Sequence, residues 1–415
     1  MLRTRYACRT FGAALSGRLS YGMVSLSLVL AVKETTGSYA VAGTVMGLFG
    51  LTSVFLSPTR AGLVDRYGPR RALPPMGAAY ALALSGLAFA ALWSDASRVL
   101  MGLLAAAAGS SAPPLGPVMR TVWSNLVPDR RMLQRAYSLD SVAEELLFVA
   151  GPLLAGLLGR VTAPSVGLAV SAALMLVGSL FLVSSPAVLP EVDRGESLSR
   201  QGLSKELVST VEPAALQRLS VRSSPDLCRA IAVSAGVGVC LGAFDLLVIA
   251  FADEHHAPET VAWILASLSA GSAVGGLLYG AVSWRASRVQ RLSILAAALG
   301  TSLATAGLSS HVSVLIAWAA LCGLFVAPVM TTAYLIADES AGSDTRTRVG
   351  AWVNTACNAG SAGATAATGL LLGRLPLPVC FMLAAAPAVL SAASALNRAT
   401  GSASAAVALT DQEGT

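Results

Sequence analysis

Long apolar runs alternate with short polar breaks along almost the whole chain. Twelve windows are apolar enough to cross a bilayer, since a helix of about 20 residues spans its hydrocarbon core. We number these windows spans 1 to 12, and they cover residues 11–32, 39–60, 72–93, 98–120, 137–159, 165–184, 229–252, 260–283, 290–309, 312–336, 347–373 and 377–397. The pattern predicts an all-α integral membrane protein with twelve transmembrane helices.

One polar stretch is much longer than the other breaks and separates six spans from six. It covers residues 185–228 and is rich in Ser, Arg, Glu and Pro. The pattern predicts an N-terminal six-helix bundle at 1–184, a cytoplasmic linker at 185–228, a C-terminal six-helix bundle at 229–397 and a disordered cytoplasmic tail at 398–415. A weakly amphipathic segment at 205–219 predicts a surface helix within the linker. Two helical repeats around a linker are typical of secondary transporters.

The basic residues indicate how the chain is oriented. With the N-terminus in the cytoplasm, all but five of the 28 Lys and Arg residues fall in cytoplasmic segments. Those five are Lys33, Arg98, Arg160 and Arg374 on the outer side, and Arg18 inside span 1. Because cytoplasmic loops collect Lys and Arg, both termini are predicted to be cytoplasmic, in a multi-pass protein of the plasma membrane. The net charge of +6 then reflects orientation, and no nucleic-acid partner is expected.

The composition argues against several other classes. Only 12% of residues are charged and 55% are hydrophobic, whereas soluble domains carry about 25% charged residues. The six cysteines are scattered and form no C-x-x-C pair, so neither a disulfide framework nor a metal site is expected. The chain has no P-loop motif and no His, Cys and Asp cluster with metal-ligand spacing. We therefore expect no cofactor, no ATP hydrolysis and no enzymatic activity.

A short basic segment with a single acid, residues 58–71, joins spans 2 and 3. Gly68 and Pro69 predict a tight turn between two helices. Asp65 lies near the end of span 2, where a carboxylate can accept hydrogen bonds from the N-terminus of another helix. The segment then acts as a gate latch. The alternative is a basic loop that only fixes the orientation of the chain.

This segment closely resembles the signature G-x-L-x-D-R-x-G-R-(R/K) of the major facilitator superfamily. The residues that match are Leu63, Asp65, Arg66, Gly68 and Arg70. Ala61 replaces the first glycine, and Pro69 replaces a basic residue. The resemblance implies two six-helix bundles, with Asp65 binding the start of span 11 on the cytoplasmic side. The counterpart in the second half, at 276–285, has the glycines and a basic residue but no acid. We therefore expect a charged latch from the first half alone.

Two further segments resemble proton-coupled drug exporters of the same superfamily. Residues 151–156 read GPLLAG, similar to the antiporter signature G-P-x-x-G-G. Residues 98–102 read RVLMG, similar to R-x-x-Q-G. The resemblance implies proton-coupled efflux of a small amphipathic molecule, with helix bending at Gly151, Pro152 and Gly156. An importer of a sugar or other metabolite, and a membrane sensor or scaffold without transport, remain alternatives.

Charged side chains inside spans are costly and usually functional. Several lie at similar depth toward the cytoplasmic side of spans 1, 4 and 5, and we predict that they form a buried cluster: Arg18, Arg120, Asp140, Glu144 and Glu145. The cluster is either a structural ion-pair network or the place where one carboxylate takes up and releases the coupling proton.

Asp245 is the remaining intramembrane acid and lies in span 7 without a basic neighbour in its own span. Such a carboxylate suits proton coupling or a cationic substrate. Alternatively, it is only solvated in an outer vestibule. The superfamily resemblance implies that spans 1, 4, 7 and 10 line a cavity, to which Arg18, Asp245, Ser110 and Ser111 contribute polar groups. Arg98, at the start of span 4, is a further candidate for the cavity or for proton coupling. The expected partners are a small-molecule substrate, protons and the lipid bilayer, and we expect a monomer.

Overall fold

The computed structural model describes residues 7–93, 97–127, 129–188, 224–257, 259–342, 344–372 and 374–392. Its long elements are all α-helices. In the first half they are α1 (Ala7–Thr36), α2 (Tyr39–Phe55), α3 (Ser57–Tyr67), α4 (Pro69–Ala90), α5 (Arg98–Ser111), α6 (Leu115–Leu126), α7 (Arg130–Val161) and α8 (Pro164–Val183). In the second half they are α9 (Pro225–Glu254), α10 (Thr260–Ala281), α11 (Arg288–Ala306), α12 (Val312–Ser340), α13 (Arg346–Leu371) and α14 (Leu377–Ala392).

Every predicted span coincides with a helix or with a pair of helices in the described residues. Eight stretches are long and apolar enough to cross a membrane, and the bent pair α2 and α3 makes a ninth. Helices α11, α13 and α14 do not meet the same combined limit of length and apolarity. The multi-pass helical architecture is therefore confirmed. The count of twelve and the cytoplasmic location of the termini stay predictions.

Two breaks shape the helices around the candidate site. Helices α2 and α3 meet at Leu56 with a bend of 44°. Helix α5 ends at Ser111 because Pro113 and Pro114 follow, and proline has no N–H to donate and clashes with the preceding turn. Both breaks leave backbone carbonyls without their usual helical donors, so these carbonyls need other partners.

The chain forms two compact units, and each takes a short segment from the other half of the sequence. Unit 1 contains residues 1–128, 147–224 and 340–351. Unit 2 contains residues 129–146, 225–339 and 352–415. The start of α7 thus belongs to unit 2, and the start of α13 belongs to unit 1. The predicted boundaries near 184 and 229 leave the start of α7 in the first half and the start of α13 in the second half. The two units are therefore divided differently at these two segments.

Some predictions fall on parts of the chain that the structure does not describe. The surface helix at 205–219 and the tail at 398–415 lie outside the described residues. The same holds for most of the linker, which is described only at 185–188 and 224–228.

Glycines allow the helices within each unit to approach closely. In unit 1, a Cβ on Gly178 of α8 would lie 2.4 Å from the backbone nitrogen of Gly17 in α1. In unit 2, a Cβ on Gly238 of α9 would meet the backbone of Cys357 in α13. Small residues at helix contacts are the usual way in which membrane helices gain packing energy. This packing fixes the positions of α1, α7, α9 and α13, which carry most of the predicted site residues.

Candidate functional site

Asp65 binds the N-terminus of α13. Its Oδ1 accepts a hydrogen bond from the backbone N–H of Thr347 at 3.1 Å, and its Oδ2 accepts one from Arg348 at 2.8 Å. These two N–H groups are in the first turn of α13, so they have no acceptor within their own helix. A carboxylate there also faces the positive end of the helix dipole. We call this pair of bonds the Asp65 contact. Asp65 is separated from Thr347 by 282 positions and from Arg348 by 283, and all three residues belong to unit 1.

Helix α6 holds the same end of α13. The guanidinium of Arg346 donates to the hydroxyl of Ser124 at 3.1 Å and to the side-chain oxygen of Asn125 at 2.9 Å. The hydroxyls of Thr121 and Thr347 share a hydrogen bond of 3.2 Å. The start of α13 is therefore fixed by side chains of both α3 and α6, all of them polar groups that water can replace.

The other residues of the signature surround the turn between α3 and α4. Gly68 is the single residue between the helices and has a φ of 79°, a left-handed conformation that favours glycine. Pro69 follows as the first residue of α4, where its missing N–H costs nothing. The side chains of Leu63, Arg66 and Arg70 are exposed. The signature thus divides into one carboxylate that bonds to α13, one turn glycine and an exposed surface.

Unit 2 also has a contact between side chains and backbone groups at a helix end, but here the side chains donate and the backbone carbonyls accept. The side-chain amide of Gln134, near the start of α7, donates to the carbonyl of Tyr279 at 2.8 Å and to that of Val282 at 3.3 Å. Nε of Arg135 donates to the carbonyl of Gly280 at 3.3 Å. These carbonyls lie at the C-terminal end of α10, where acceptors have no helical donor. We call these bonds the Gln134 contact.

A polar network supports the Gln134 contact. Arg291 donates to the side-chain oxygen of Gln134 at 3.2 Å and to the hydroxyl of Tyr279 at 3.0 Å. Glu339, at the end of α12, pairs with Arg130 at 3.3 Å and also with Arg288. The 276–285 segment contributes backbone carbonyls and no acid to this contact, so the expectation of a charged latch from the first half alone stays a prediction. The acid of the second half comes from α12, far in sequence from the 276–285 segment.

Two polar side chains, those of Arg60 and Tyr21, bond to backbone carbonyls at the helix breaks of unit 1. Arg60, counted among the basic residues of the cytoplasmic segments, is only 6% exposed. Its guanidinium donates to the carbonyl of Ser53 at 2.7 Å and to that of Gly109. The hydroxyl of Tyr21 donates to the carbonyl of Pro113. Two features of the sequence could have indicated these bonds. Arg60 lies one turn after the bend at Leu56, and the prolines of span 4 leave backbone carbonyls without helical donors.

Two buried arginines of unit 1, Arg18 of α1 and Arg120 of α6, both lie close to Gly116 of α6. Arg18 is 4% exposed and Arg120 is 3% exposed. A Cβ on Gly116 would lie 3.8 Å from Nη2 of Arg18 and 3.7 Å from Nη1 of Arg120. The absence of a side chain at Gly116 thus leaves room for both guanidinium groups. The structure brings together these two members of the predicted cluster.

The acids of the predicted cluster belong to unit 2. Asp140 is fully buried, and Glu144 and Glu145 are half-buried on the next turn of α7. Their role in coupling, and the cluster as a whole, stay predictions. Asp245 is exposed within α9, and no hydrogen bond or ion pair involves it among the described residues. Arg98 is exposed at the first position of α5.

The glycine and proline motif of span 5 lies where α7 crosses α1. A Cβ on Gly151 would lie 2.4 Å from the Cα of Gly22, so the two backbones touch. Pro152 lies inside α7 and removes one helical hydrogen bond. A Cβ on Gly156 would make an ordinary contact with Leu26 at 3.7 Å. The motif therefore has a direct packing role at Gly151, and its role in bending stays a prediction.

No group of His, Cys, Asp and Glu side chains with the geometry of a metal site occurs in the part of the chain that the structure describes. The polar groups described above are instead hydrogen-bonding and charged side chains inside or at the ends of apolar helices.

Solved structures of membrane transporters share this fold. The bacterial homologue of the iron transporter ferroportin, in an outward-facing state, is 15% identical with a TM-score of 0.72, covering 95% of this chain and 100% of that one. The Escherichia coli fucose:proton symporter FucP is 13% identical with a TM-score of 0.68, covering 94% and 99%. The human organic anion transporter TETRAN is 16% identical with a TM-score of 0.66, covering 94% and 98%. At these identities the likeness concerns the fold.

Sequence comparison identifies the family. No curated protein matches the chain closely enough in sequence to count as a relative. The sequence profile of the Major Facilitator Superfamily, however, matches residues 10–258 and 237–407, which together cover nearly the whole chain. With its multi-pass helical fold and the signature around Asp65, the chain belongs to the Major Facilitator Superfamily of membrane transporters.

Proposed function

We propose that the protein is a proton-coupled exporter of a small amphipathic molecule that works by alternating access. The observation that carries the proposal is the Asp65 contact, in which one carboxylate of the first half binds two backbone N–H groups of the second half. In a transporter that opens to the cytoplasm, the first turn of α13 would have to leave Asp65, so this contact would break in each cycle.

The nature of the two contacts suits repeated opening. The Asp65 contact and the Gln134 contact use hydrogen bonds between side chains and backbone groups at helix ends. Both partners of each bond can be solvated by water once they separate. The net cost of breaking one such bond is about 0.5–3 kcal/mol, the upper part of the range applying to charged groups. Binding energy of a substrate of that order can shift the equilibrium between states.

The intramembrane acids support proton coupling. Asp245 is an exposed carboxylate inside an apolar helix with no partner among the described residues. Glu144 and Glu145 are half-buried acids on α7. An acid in such a position either binds a proton or neutralises a cation, and these two events exclude each other at one carboxylate. That competition is the physical basis for exchanging protons for a cationic amphipathic molecule.

Transport into inverted membrane vesicles tests the proposal. The full chain is expressed, the vesicles are energised with an inward-acid pH gradient, and accumulation of the lipophilic cation tetraphenylphosphonium is measured. We expect accumulation that collapses when the gradient is dissipated. Asp245→Asn should abolish it, whereas Asp253→Asn should not, because Asp253 is an exposed acid at the end of the same helix.

Each part of the proposal has its own contrary result. Accumulation that is independent of the pH gradient would remove proton coupling. Accumulation in right-side-out vesicles and none in inverted ones would replace export by import. Equal loss in the Asp245 and Asp253 variants would show that general surface charge, and not the Asp245 carboxylate, controls the flux.

A further inference from the structure

Unit 1 contains an apolar groove between α3 and α4. Its volume is about 460 Å³, and the last residue of α5, Ser111, closes one side. The remaining lining is apolar or aromatic except for a single cation, Arg71. The apolar and aromatic residues are Leu63, Tyr67, Ala72, Pro75, Met76 and Ala79.

The groove has a charged end and an apolar length. Arg71 is the third residue of α4, and Ala79 lies eight residues further along the same helix. At a rise of 1.5 Å per residue, the groove extends about 12 Å along α4 from its charged end. That distance is close to the hydrocarbon depth of one leaflet, about 15 Å. Since basic residues mark the cytoplasmic side, the charged end lies at the inner leaflet's headgroups.

The polar groups of the groove divide sharply between its two ends. The hydroxyl of Ser111 bonds to the carbonyl of Ala107 at 2.7 Å, so the deep side offers no free donor. At the other end, Arg71 lines the groove and is exposed, and Arg66 and Arg70, its neighbours in the sequence, are exposed as well. In the described ranges none of the three forms an ion pair. The guanidinium of Arg66 instead lies 5.3 Å from the centre of the Tyr67 ring.

We propose that this groove binds an anionic phospholipid of the inner leaflet, with one acyl chain along α4 and the phosphate on Arg71. The apolar lining matches an acyl chain, and the exposed Arg71 at one end, with the exposed Arg66 and Arg70 near it in the sequence, matches an anionic headgroup and disfavours a cation. A zwitterionic lipid satisfies the apolar part equally well but gains less from the arginines. Neither Asp245 nor an acid of α7 is among the residues that line the groove.

The groove and the Asp65 contact share a helix. Leu63 and Tyr67 line the groove from α3, and Asp65 leaves the same short helix to bind the start of α13. Helix α3 has only 11 residues and follows a bend, so its own hydrogen bonds stabilise it weakly. A bound acyl chain adds apolar contact to the side of α3 that protein does not cover.

Native mass spectrometry of the full chain tests the proposal. The protein is reconstituted in nanodiscs that contain equal parts of phosphatidylglycerol and phosphatidylcholine, released, and the lipids that remain bound are counted. We expect wild type to retain phosphatidylglycerol over phosphatidylcholine. Arg71→Gln should lower this preference about fivefold, because one arginine near an anionic surface contributes about 1 kcal/mol. Ala79→Trp fills the groove and should remove one retained lipid of either kind.

Two variants are matched controls. Arg160→Gln removes an exposed arginine at the end of α7, and Ala173→Trp places the same large ring on an exposed position of α8. Both should retain lipid as wild type does. The proposal is overturned if Arg71→Gln keeps the wild-type preference, if Ala79→Trp keeps the full number of lipids, or if the controls lose lipid equally. Thermal unfolding of each variant shows whether it is folded. If one of the two groove variants is misfolded, the lipid retained by the other decides whether the proposal stands.

Discussion

Replacing Asp65 by Asn removes one charge and one of the two acceptors that bind the start of α13. The wild-type carboxylate accepts from two backbone N–H groups at 3.1 and 2.8 Å. An Asn side chain has a single acceptor oxygen, and its amide group would face the second N–H as another donor. The change is nearly isosteric, so the packing of α3 should be preserved.

The expected cost follows from these two bonds. A hydrogen bond to a charged group contributes about 1.5–3 kcal/mol, and a charge at a helix terminus about 0.3–1 kcal/mol. Losing one such bond and the charge, while keeping one neutral bond, should cost about 2–3 kcal/mol. At 1.4 kcal/mol per factor of ten, the equilibrium for opening the Asp65 contact should shift about 30- to 150-fold.

Hydrogen–deuterium exchange measures this opening directly, because the donors are backbone amides. Exchange at Thr347 and Arg348 in the full chain should be faster in Asp65→Asn by the factor given above. Asp129→Asn is the matched control, since Asp129 accepts from the backbone N–H groups of Arg131 and Met132 at 3.3 Å within its own helix start. It should accelerate exchange at the start of α7 only. Unchanged exchange at 347 and 348 in a folded Asp65→Asn protein would refute the reasoning.

Three further substitutions test other contacts. Gln134→Ala should raise exchange at the start of α7 and increase opening about 5- to 30-fold, because two neutral hydrogen bonds of about 0.5–1 kcal/mol each are lost. No change would show that water replaces the amide at no cost. Gly151→Ala should lower the free energy of unfolding by about 1–3 kcal/mol through overpacking against Gly22, which a lower midpoint of thermal unfolding would report. Gly159→Ala, with only an ordinary contact at 3.7 Å, should not. Arg60→Leu should destabilise unit 1 by about 2–3 kcal/mol, because two buried carbonyls lose a charged donor; a stable variant in the same assay would argue against this role.

The hydropathy pattern predicted the helices well because membrane helices follow from length and apolarity. The turn at Gly68 was also predictable, since Gly followed by Pro permits few other conformations. The partner of Asp65 was reached through the family signature and not from the residues, because a carboxylate alone does not specify which helix end it binds. The structure supplies that partner as Thr347 and Arg348.

The features that sequence reasoning missed depend on backbone acceptors. Arg60 bonds to a carbonyl 49 positions away, and Gln134 bonds to one 145 positions away. A pattern of side chains contains no sign of which distant carbonyl lacks its helical donor. Charge counting placed Arg60 in a loop for the same reason, since a buried and an exposed arginine look alike in a basic segment. Glu339 likewise became a partner of Arg130 and Arg288 only through the packing of unit 2.

The exchange of segments between the two units has a consequence for how the protein is made. Unit 1 needs residues 340–351, which the ribosome adds only after the chain of α9 to α12. Because chains are synthesised from the N-terminus and early domains fold first, Asp65 is made before its partners Thr347 and Arg348 exist. The nascent N-terminal bundle therefore waits in an incomplete form, and the late arrival of α13 reports that the second half has been inserted.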